Sequence, residues 1–470
     1  MKYLVFAIMT TSLWATTPAE NPKVTISSSI VKEKALKHHP SVLAAMERMK
    51  AGEEEIQAAR GNFDTKVVSS YKRQTKHGWN TTLSRTQLEK PLRFANSKIY
   101  AGTEQISNPL GLLAPIYNTG NPTNQTGNYN VVGVQFSLWR NLLIDSNRAN
   151  LKNAKFDSKI ASANRRLTEL DISRMGQLAY WEWVTAKKVK NVYEDLLKNG
   201  EIRNEYLMAR SKKGDIAQIL ITENEQYIAS RKRSYQAAKE RLLRADYDLS
   251  LFYRDDNGEP VVPTAIEDYE DYPKDLSILL DKLDLNSPIN ELIVKRPDLK
   301  NLAIGVERSQ VDIELAKQDL KPQVDITAEY FERTKYHPGI PKDYLMVMAQ
   351  INVPIERNLG NGKIAAARAR QMVAEREMTL GKETYKNEVL SLRQALHLQL
   401  EQVVQSEIEL AKARELVESE IYKFKSGGGN LFLVNLREEA QASAEASFHE
   451  ARLTFMNTLL SYQALVSTAE

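Results

Sequence analysis

Apolar residues fall seven apart along a long stretch near the end of the chain. Val389, Leu396, Val403, Leu410, Val417 and Phe424 form one stripe, and Leu392, Leu400, Ala413 and Ile421 partly fill a second. A sustained heptad predicts helices supercoiled around one another. An earlier stretch carries Leu178, Trp181, Val189, Val192 and Leu196 at helical spacing. No proline interrupts Asp145 to Lys213 or Lys363 to Ser426. At 1.5 Å per residue, helices of that size span roughly 100 Å. The rest of each helix is charged, and the narrow stripe predicts no large dry core around it. Asn199-Gly200 predicts a break or kink in the first.

Other segments alternate with period two, the mark of amphipathic strands. Val132, Val134, Phe136 and Leu138 alternate with Val131, Gly133, Gln135 and Ser137. Leu345, Val347, Ala349, Ile351 and Val353 alternate with Tyr344, Met346, Met348, Gln350 and Asn352. Val324, Ile326, Ala328 and Tyr330 alternate with polar neighbours. Two readings fit: a soluble sheet with one face on a core, or a membrane barrel with lipid outside and a wet lumen. Trp79, Tyr100, Tyr117, Tyr129, Trp139, Tyr336 and Tyr344 lie near strand ends, where an aromatic girdle would sit. One chain has too few strands for a conducting barrel, so several chains would share it. Between Trp79 and Asn128 further alternation occurs at Thr81–Gln87 and Lys98–Ile106, and Asn108 to Gly127 reads as loop. An extended hairpin or extracellular loops are expected there.

The chain reads as two similar halves. His39-Pro40 opens a helix ending near Asn62, and Arg296-Pro297 opens one ending near Lys321. Gly214-Asp215-Ile216 aligns with Gly429-Asn430-Leu431, and Tyr247 with Tyr462. The expected organisation is a signal peptide at 1–19 and a first repeat at 20–254, with strands 64–76 and 130–139 and long helices 145–213 and 216–253. An acidic linker at 255–290 follows. A second repeat at 291–470 holds strands 323–334 and 343–354 and long helices 363–426 and 431–468. The signal peptide rests on Lys2 followed by an apolar run from Leu4 to Ala15, with Ala15 and Ala19 as cleavage edges.

Composition narrows the class. The chain has 470 residues and no cysteine, which excludes disulfides, thiolate metal sites and a lipid-modified N-terminal Cys. Lys and Arg number 64 against 60 Asp and Glu, a near-balance that argues against a nucleic-acid partner. No apolar run reaches the length of a transmembrane helix.

Together these features resemble the TolC-like outer-membrane efflux proteins. The likeness is carried by His39-Pro40 and Arg296-Pro297, by the strand end Val353-Pro354-Ile355-Glu356-Arg357-Asn358, and by the hinges Lys212 to Ile216 and Lys425 to Leu431. The resemblance implies a mostly α fold with β: internally duplicated coiled-coil helices forming a periplasmic tunnel, and strands forming a shared trimeric outer-membrane β-barrel. It implies a homotrimer, four strands per chain, and service as the exit duct of a tripartite efflux or type I secretion system. The partners would be a periplasmic adaptor, an inner-membrane pump and outer-membrane lipid. Gly214, Asp215, Gly427, Gly428, Gly429 and Asn430 would form the periplasmic tip that meets the adaptor. Val132, Val134, Phe136, Leu138, Leu345, Val347 and Ile351 would face lipid. Some family members narrow the pore with aspartates just past the second hinge; here Leu431 to Leu436 carries no acid, so gate residues do not transfer. The rival is a soluble periplasmic coiled-coil scaffold or adaptor without a pore.

Candidate chemistry is sparse, and neither an enzyme nor a bound cofactor or metal is expected. His449-Glu450 lacks the second His of a zinc protease motif. Gly360-Asn361-Gly362-Lys363 lacks the first Gly and the following Ser/Thr of a phosphate loop. Asp255 to Glu259 lacks the ligand spacing of a calcium loop and reads as a solvated turn. Asp215 and Asn430 are expected to cap the helices that follow them.

Overall fold

The computed structural model describes residues 25–76, 79–107, 127–263, 268–283, 285–335 and 342–467. The proposed signal peptide lies outside them. The chain divides into two compact units. One, the sheet unit, comprises Pro40–Asp171, Asp284–Gln394 and the C-terminal residues from Tyr462. The other, the helical unit, comprises the chain up to His39, Ile172–Leu283 and Ala395–Ser461.

In the sheet unit, helix α2 (Pro40–Arg60) passes through a 3-10 turn, Gly61–Phe63, into strand β1 (Lys66–Lys76). Strands β2 (Trp79–Pro91), β3 (Lys98–Ser107) and β4 (Gly127–Ser137) follow. The order then recurs: α7 (Pro297–Ala316), a 3-10 turn at Lys317–Leu320, β5 (Gln323–Arg333) and β6 (Asp343–Asn352). Proline at the first turn of α7 costs nothing, because that amide has no helical partner. The six strands form one antiparallel sheet in sequence order, β1 to β6. Six replaces the four implied by the resemblance. The added pair is β2 and β3, which carry the alternation at Thr81–Gln87 and Lys98–Ile106. Their connection closes tightly, with Ala95 and Asn96 in the left-handed region and the Leu92 amide donating to the Ser97 carbonyl at 2.7 Å. Ile313, Ala316, Ile364 and Ala367 form a core cluster against Leu320. Gly360 belongs to it by necessity, since a Cβ there would lie 2.5 Å from Leu320.

The two longest described helices are several times the usual globular length. Helix α3 spans Ser146–Lys212 and α8 spans Asn358–Lys425, 67 and 68 residues. The Asp145 carboxylate caps α3, accepting from the Arg148 amide at 2.9 Å and from its guanidinium at 2.6 Å. Asn199-Gly200 does not break α3. Gly200 sits against the Arg231 guanidinium, so its missing side chain makes room for a neighbour rather than a kink. The heptad residues Val389, Leu396, Val403, Leu410 and Val417 are all buried.

In the helical unit, α1 (Ser28–His38) precedes the segment read as the first helix. Helices α4 (Gln218–Ser250), α5 (Ser277–Asp281) and α9 (Leu431–Val466) complete the unit, while α6 (Ile289–Lys295) belongs to the sheet unit. Ala179 to Ala186 departs from the expected narrow stripe: every residue but Glu182 is buried. The inter-repeat segment supplies the extra cover. Tyr180 donates to the carbonyls of Ile26 and Glu270, and Tyr272 stacks on Trp181 at 4.6 Å under the Arg452 guanidinium. Asp255 accepts from the amides of Asn257 and Glu259, an ordinary acidic turn. No helix among the described residues is long and apolar enough to cross a membrane.

Candidate functional site

The sheet turns an unusual side to its surroundings. Paired residues share a face, so the register sorts every side chain. One row runs Val67, Leu88, Ala101, Val132, Tyr330, Leu345, and the next outward row includes Ile99, Val134, Ala328 and Val347. This apolar face is the open one: Val132 is 58% exposed and Leu345 67%. The opposite face is polar yet enclosed, with Glu104 at 1% and Glu329 at 5%. Of the seven residues named for lipid, Val132, Leu138, Leu345, Val347 and Ile351 are exposed, while Val134 and Phe136 are half-buried.

The enclosed face holds its charges in pairs. Arg85 reaches Glu329 at 2.5 Å and Glu104 at 3.5 Å, and the Tyr100 hydroxyl donates to Glu329 at 2.6 Å. Lys98 pairs with Glu89 at 3.2 Å, and Ser137 donates to Asp325 at 2.7 Å. Tyr100, Tyr129 and Tyr344 also belong here, packed with Phe331, Val131 and Met346, rather than in an outer girdle. Gly133 allows this: a Cβ there would fall 2.4 Å from the Tyr100 ring. Trp139 is exposed, the side chain of Trp79 is not described, and Tyr117 and Tyr336 lie outside the described residues.

The hinges lie in the helical unit and share one device. The turn after α3 holds Gly214 and the turn after α8 holds Gly427, both left-handed at φ 81° and 83°, a conformation that suits glycine. The geometric partner of Gly214 is thus Gly427, not Gly429. Gly429 is required for another reason, since a Cβ would meet the Phe424 backbone at 2.5 Å. Asn430 caps α9, accepting from the Phe432 amide at 3.0 Å. Asp215 caps nothing: α4 begins at Gln218 with Ala217 at the cap position and no side-chain bond to it. Leu207, Ile221 and Leu431 close the two hinges into one apolar knot with Ile216, Leu220 and Phe424.

The sequence matches no family model and no curated relative. Solved structures do match. The CmeC outer membrane channel of Campylobacter jejuni superposes with a TM-score of 0.68 at 13% identity, over 93% of this chain and 85% of that one. VceC, an outer membrane protein of Vibrio cholerae, gives 0.67 at 15% identity over 94% and 96%. The chain has the fold of TolC-like outer-membrane channels. The MtrE outer membrane channel of Neisseria gonorrhoeae, in its open state, agrees at 0.65, 15% identity, and 93% and 88% coverage.

Within that channel fold, the helical unit carries a buried ion cluster that the sequence reading passed over. Arg203 on α3 donates to Asn435 at 2.7 Å and pairs with Glu438. Arg231 on α4 pairs with Glu438 and Glu439, each at 3.0 Å, and donates to the Leu196 carbonyl at 3.2 Å. Arg231 and Asn435 are wholly buried. A signal existed: Asn224, Arg231, Ala238 and Ala245 are buried and spaced by seven, so an Asn and an Arg occupy core positions of a heptad. The cluster borders a cavity of about 780 Å³ that Lys188, Asp195, Glu445 and His449 also line. Burial, helped by the charges of Lys188 and Arg452, holds His449 down to about 4, so it is neutral at ordinary pH.

Proposed function

We propose that this chain is a passive outer-membrane duct, in which three copies share a β-barrel built from β1–β6 and line a periplasmic tunnel with α3, α4, α8 and α9. The observation that carries the reading is the inverted sheet: apolar face open, charged face enclosed. In water such an arrangement leaves a broad apolar surface unsatisfied. In a bilayer it is the stable arrangement, because lipid accepts the outer side chains and the paired charges lie on the side turned away from it. The residues Val132, Val134, Phe136, Leu138, Leu345, Val347 and Ile351 are the lipid contacts in this reading.

The hinges around Gly214, Asp215 and Gly427 to Asn430 form the periplasmic tip and meet an adaptor tied to an inner-membrane pump. The chain catalyses nothing in this role; its mechanism is gating. The Arg203–Arg231–Glu438 cluster ties α3, α4 and α9 just beyond the apolar knot, and it acts as the latch of the closed tip. An adaptor opens the tip only if it binds the open arrangement better than the closed one.

Fractionation of cells producing the full chain tests the reading. The duct stays in the outer membrane through salt and alkaline washes and leaves only with detergent. Recovery in the soluble periplasmic fraction would overturn it in favour of the scaffold.

A further inference from the structure

The inner face of the sheet, the one that bears Glu104 and Glu329, sorts its charges by sign. Register sets Lys66, Val68, Ser70 and Lys72 of β1 opposite Glu89, Gln87, Arg85 and Leu83 of β2, so all of them share that face. Every described carboxylate there is held. Arg85 pairs with both Glu104 and Glu329, Lys98 pairs with Glu89, and Asp325 accepts from Ser137 at 2.7 Å and from Gln323 at 2.5 Å. Glu104, Asp325 and Glu329 are buried as well. Lys66 and Lys72 are the reverse: both are exposed, and neither has an ion-pair or hydrogen-bond partner among the described residues. The far edge strand does not balance them. Strand β6 brings Tyr344, Met346, Met348, Gln350 and Asn352 to this face, and no acid.

On the duct reading above, in which this face lines the lumen, we infer that the outer-membrane mouth selects anions and that Lys66 and Lys72 make it do so. A charge buried against its partner projects little field into the water beside it, because the partner cancels it at short range. An exposed, unpaired charge projects over a Debye length, ~10 Å at 0.1 M salt. The field at the inner surface therefore takes its sign from the lysines. Basic side chains lining a pore favour anions, as acidic ones favour cations.

The residue types suit the two tasks. The planar fork of Arg85 fixes two carboxylates in place. An ammonium on a flexible stem instead draws an anion as a hydrated point charge, without a rigid grip. Entry is favoured and exit stays open, which is what conduction requires. The solutes favoured are small anions that carry carboxylate, phosphate or sulfonate groups. The preference fades as added salt shortens the reach of the lysines.

Reversal potentials of the full chain in planar bilayers, under a potassium chloride gradient, test the assignment. The permeability ratio of chloride to potassium should exceed one, fall in K66Q/K72Q and drop below one in K66E/K72E. Arg73→Gln, one position along on the opposite face, should leave it as it is. A ratio below one in the unaltered chain, or one that K66E/K72E does not move, would overturn the anion assignment and leave the duct standing. Absence of any current would overturn the duct. A second measurement needs no current. The chain contains no cysteine, so S70C, exposed between the two lysines on the inner face, supplies a lone thiol. At ~0.01 M salt the Debye length is ~30 Å, and both lysines act on it. An anionic methanethiosulfonate should modify S70C in membranes ~10-fold faster than a cationic one, each rate normalised to that with a small thiol in solution. The K66Q/K72Q background should remove the difference. Equal normalised rates in S70C alone would overturn the proposal.

Discussion

The sheet and the hinge region obey one packing rule under opposite solvents. Around the hinges, Leu207, Ile221 and Leu431 are buried and the charged positions mostly face out. In the sheet, Val132, Val347 and Ile351 face out while Glu104 and Glu329 are enclosed. The helical pattern is what water selects, and the sheet pattern is what lipid selects. Each region keeps an exception to its rule. The helical unit buries Arg231 and Glu438 as an ion pair, and the enclosed face of the sheet buries Phe331 and Val131 among its charges.

The contrast can be broken at its strongest points first. Arg231→Ala takes the donor from Glu439 and leaves Glu438 and Asn435 to Arg203 alone, and removal of one partner from a buried pair costs ~3–5 kcal/mol. Thermal unfolding of the detergent-solubilised protein should show the loss, and R231M combined with E438L should recover part of it. Next, Val347→Arg should cost ~2–4 kcal/mol for folding into lipid vesicles, as a charge on the lipid side of a barrel does. Met348→Arg, one residue along on the other face, should leave folding unchanged. Equal effects would remove the distinction between the faces.

A smaller effect depends on pH. His449 is held near 4 in the fold against 6.5 when free, so the unfolded chain binds the proton more readily. Lys188, Arg452 and Arg414 oppose its protonation, and Asp271 favours it. Stability is therefore complete above 6.5 and falls as pH drops toward 4, by up to about 3 kcal/mol. His449→Gln should flatten that part of a melting-temperature profile. The smallest effect separates the two hinges. Asn430→Ala should cost about 1 kcal/mol and speed amide exchange at the start of α9. Asp215→Ala should leave exchange at the start of α4 as it was, because Asp215 caps nothing.

These features were not equally legible in the sequence. The heptad from Val389 to Val417 and the alternation in β4, β5 and β6 each state a period, and period is local information. The strand count was not local. The alternation at Thr81–Gln87 and Lys98–Ile106 was visible, but its membership in the same sheet depends on partners that lie elsewhere in the chain. Helix α1 hid in a serine-rich stretch, where Ser27 is in fact its cap, accepting from the Ile30 amide at 3.3 Å. Asp215 misled because an acid after glycine has the composition of a cap, while the helix starts three residues later. Gly200 misled because a glycine inside a helix can serve a neighbour, here Arg231. The ion cluster needed charged residues at heptad core positions to be read as placed there rather than as interruptions.

The most direct test of the central reading is current through planar bilayers containing the purified chain, with the detergent-resistant oligomer sized on the same sample. A three-chain oligomer that gives discrete conductance steps is the expected result. A monomer that stays soluble without detergent and passes no current would contradict the duct.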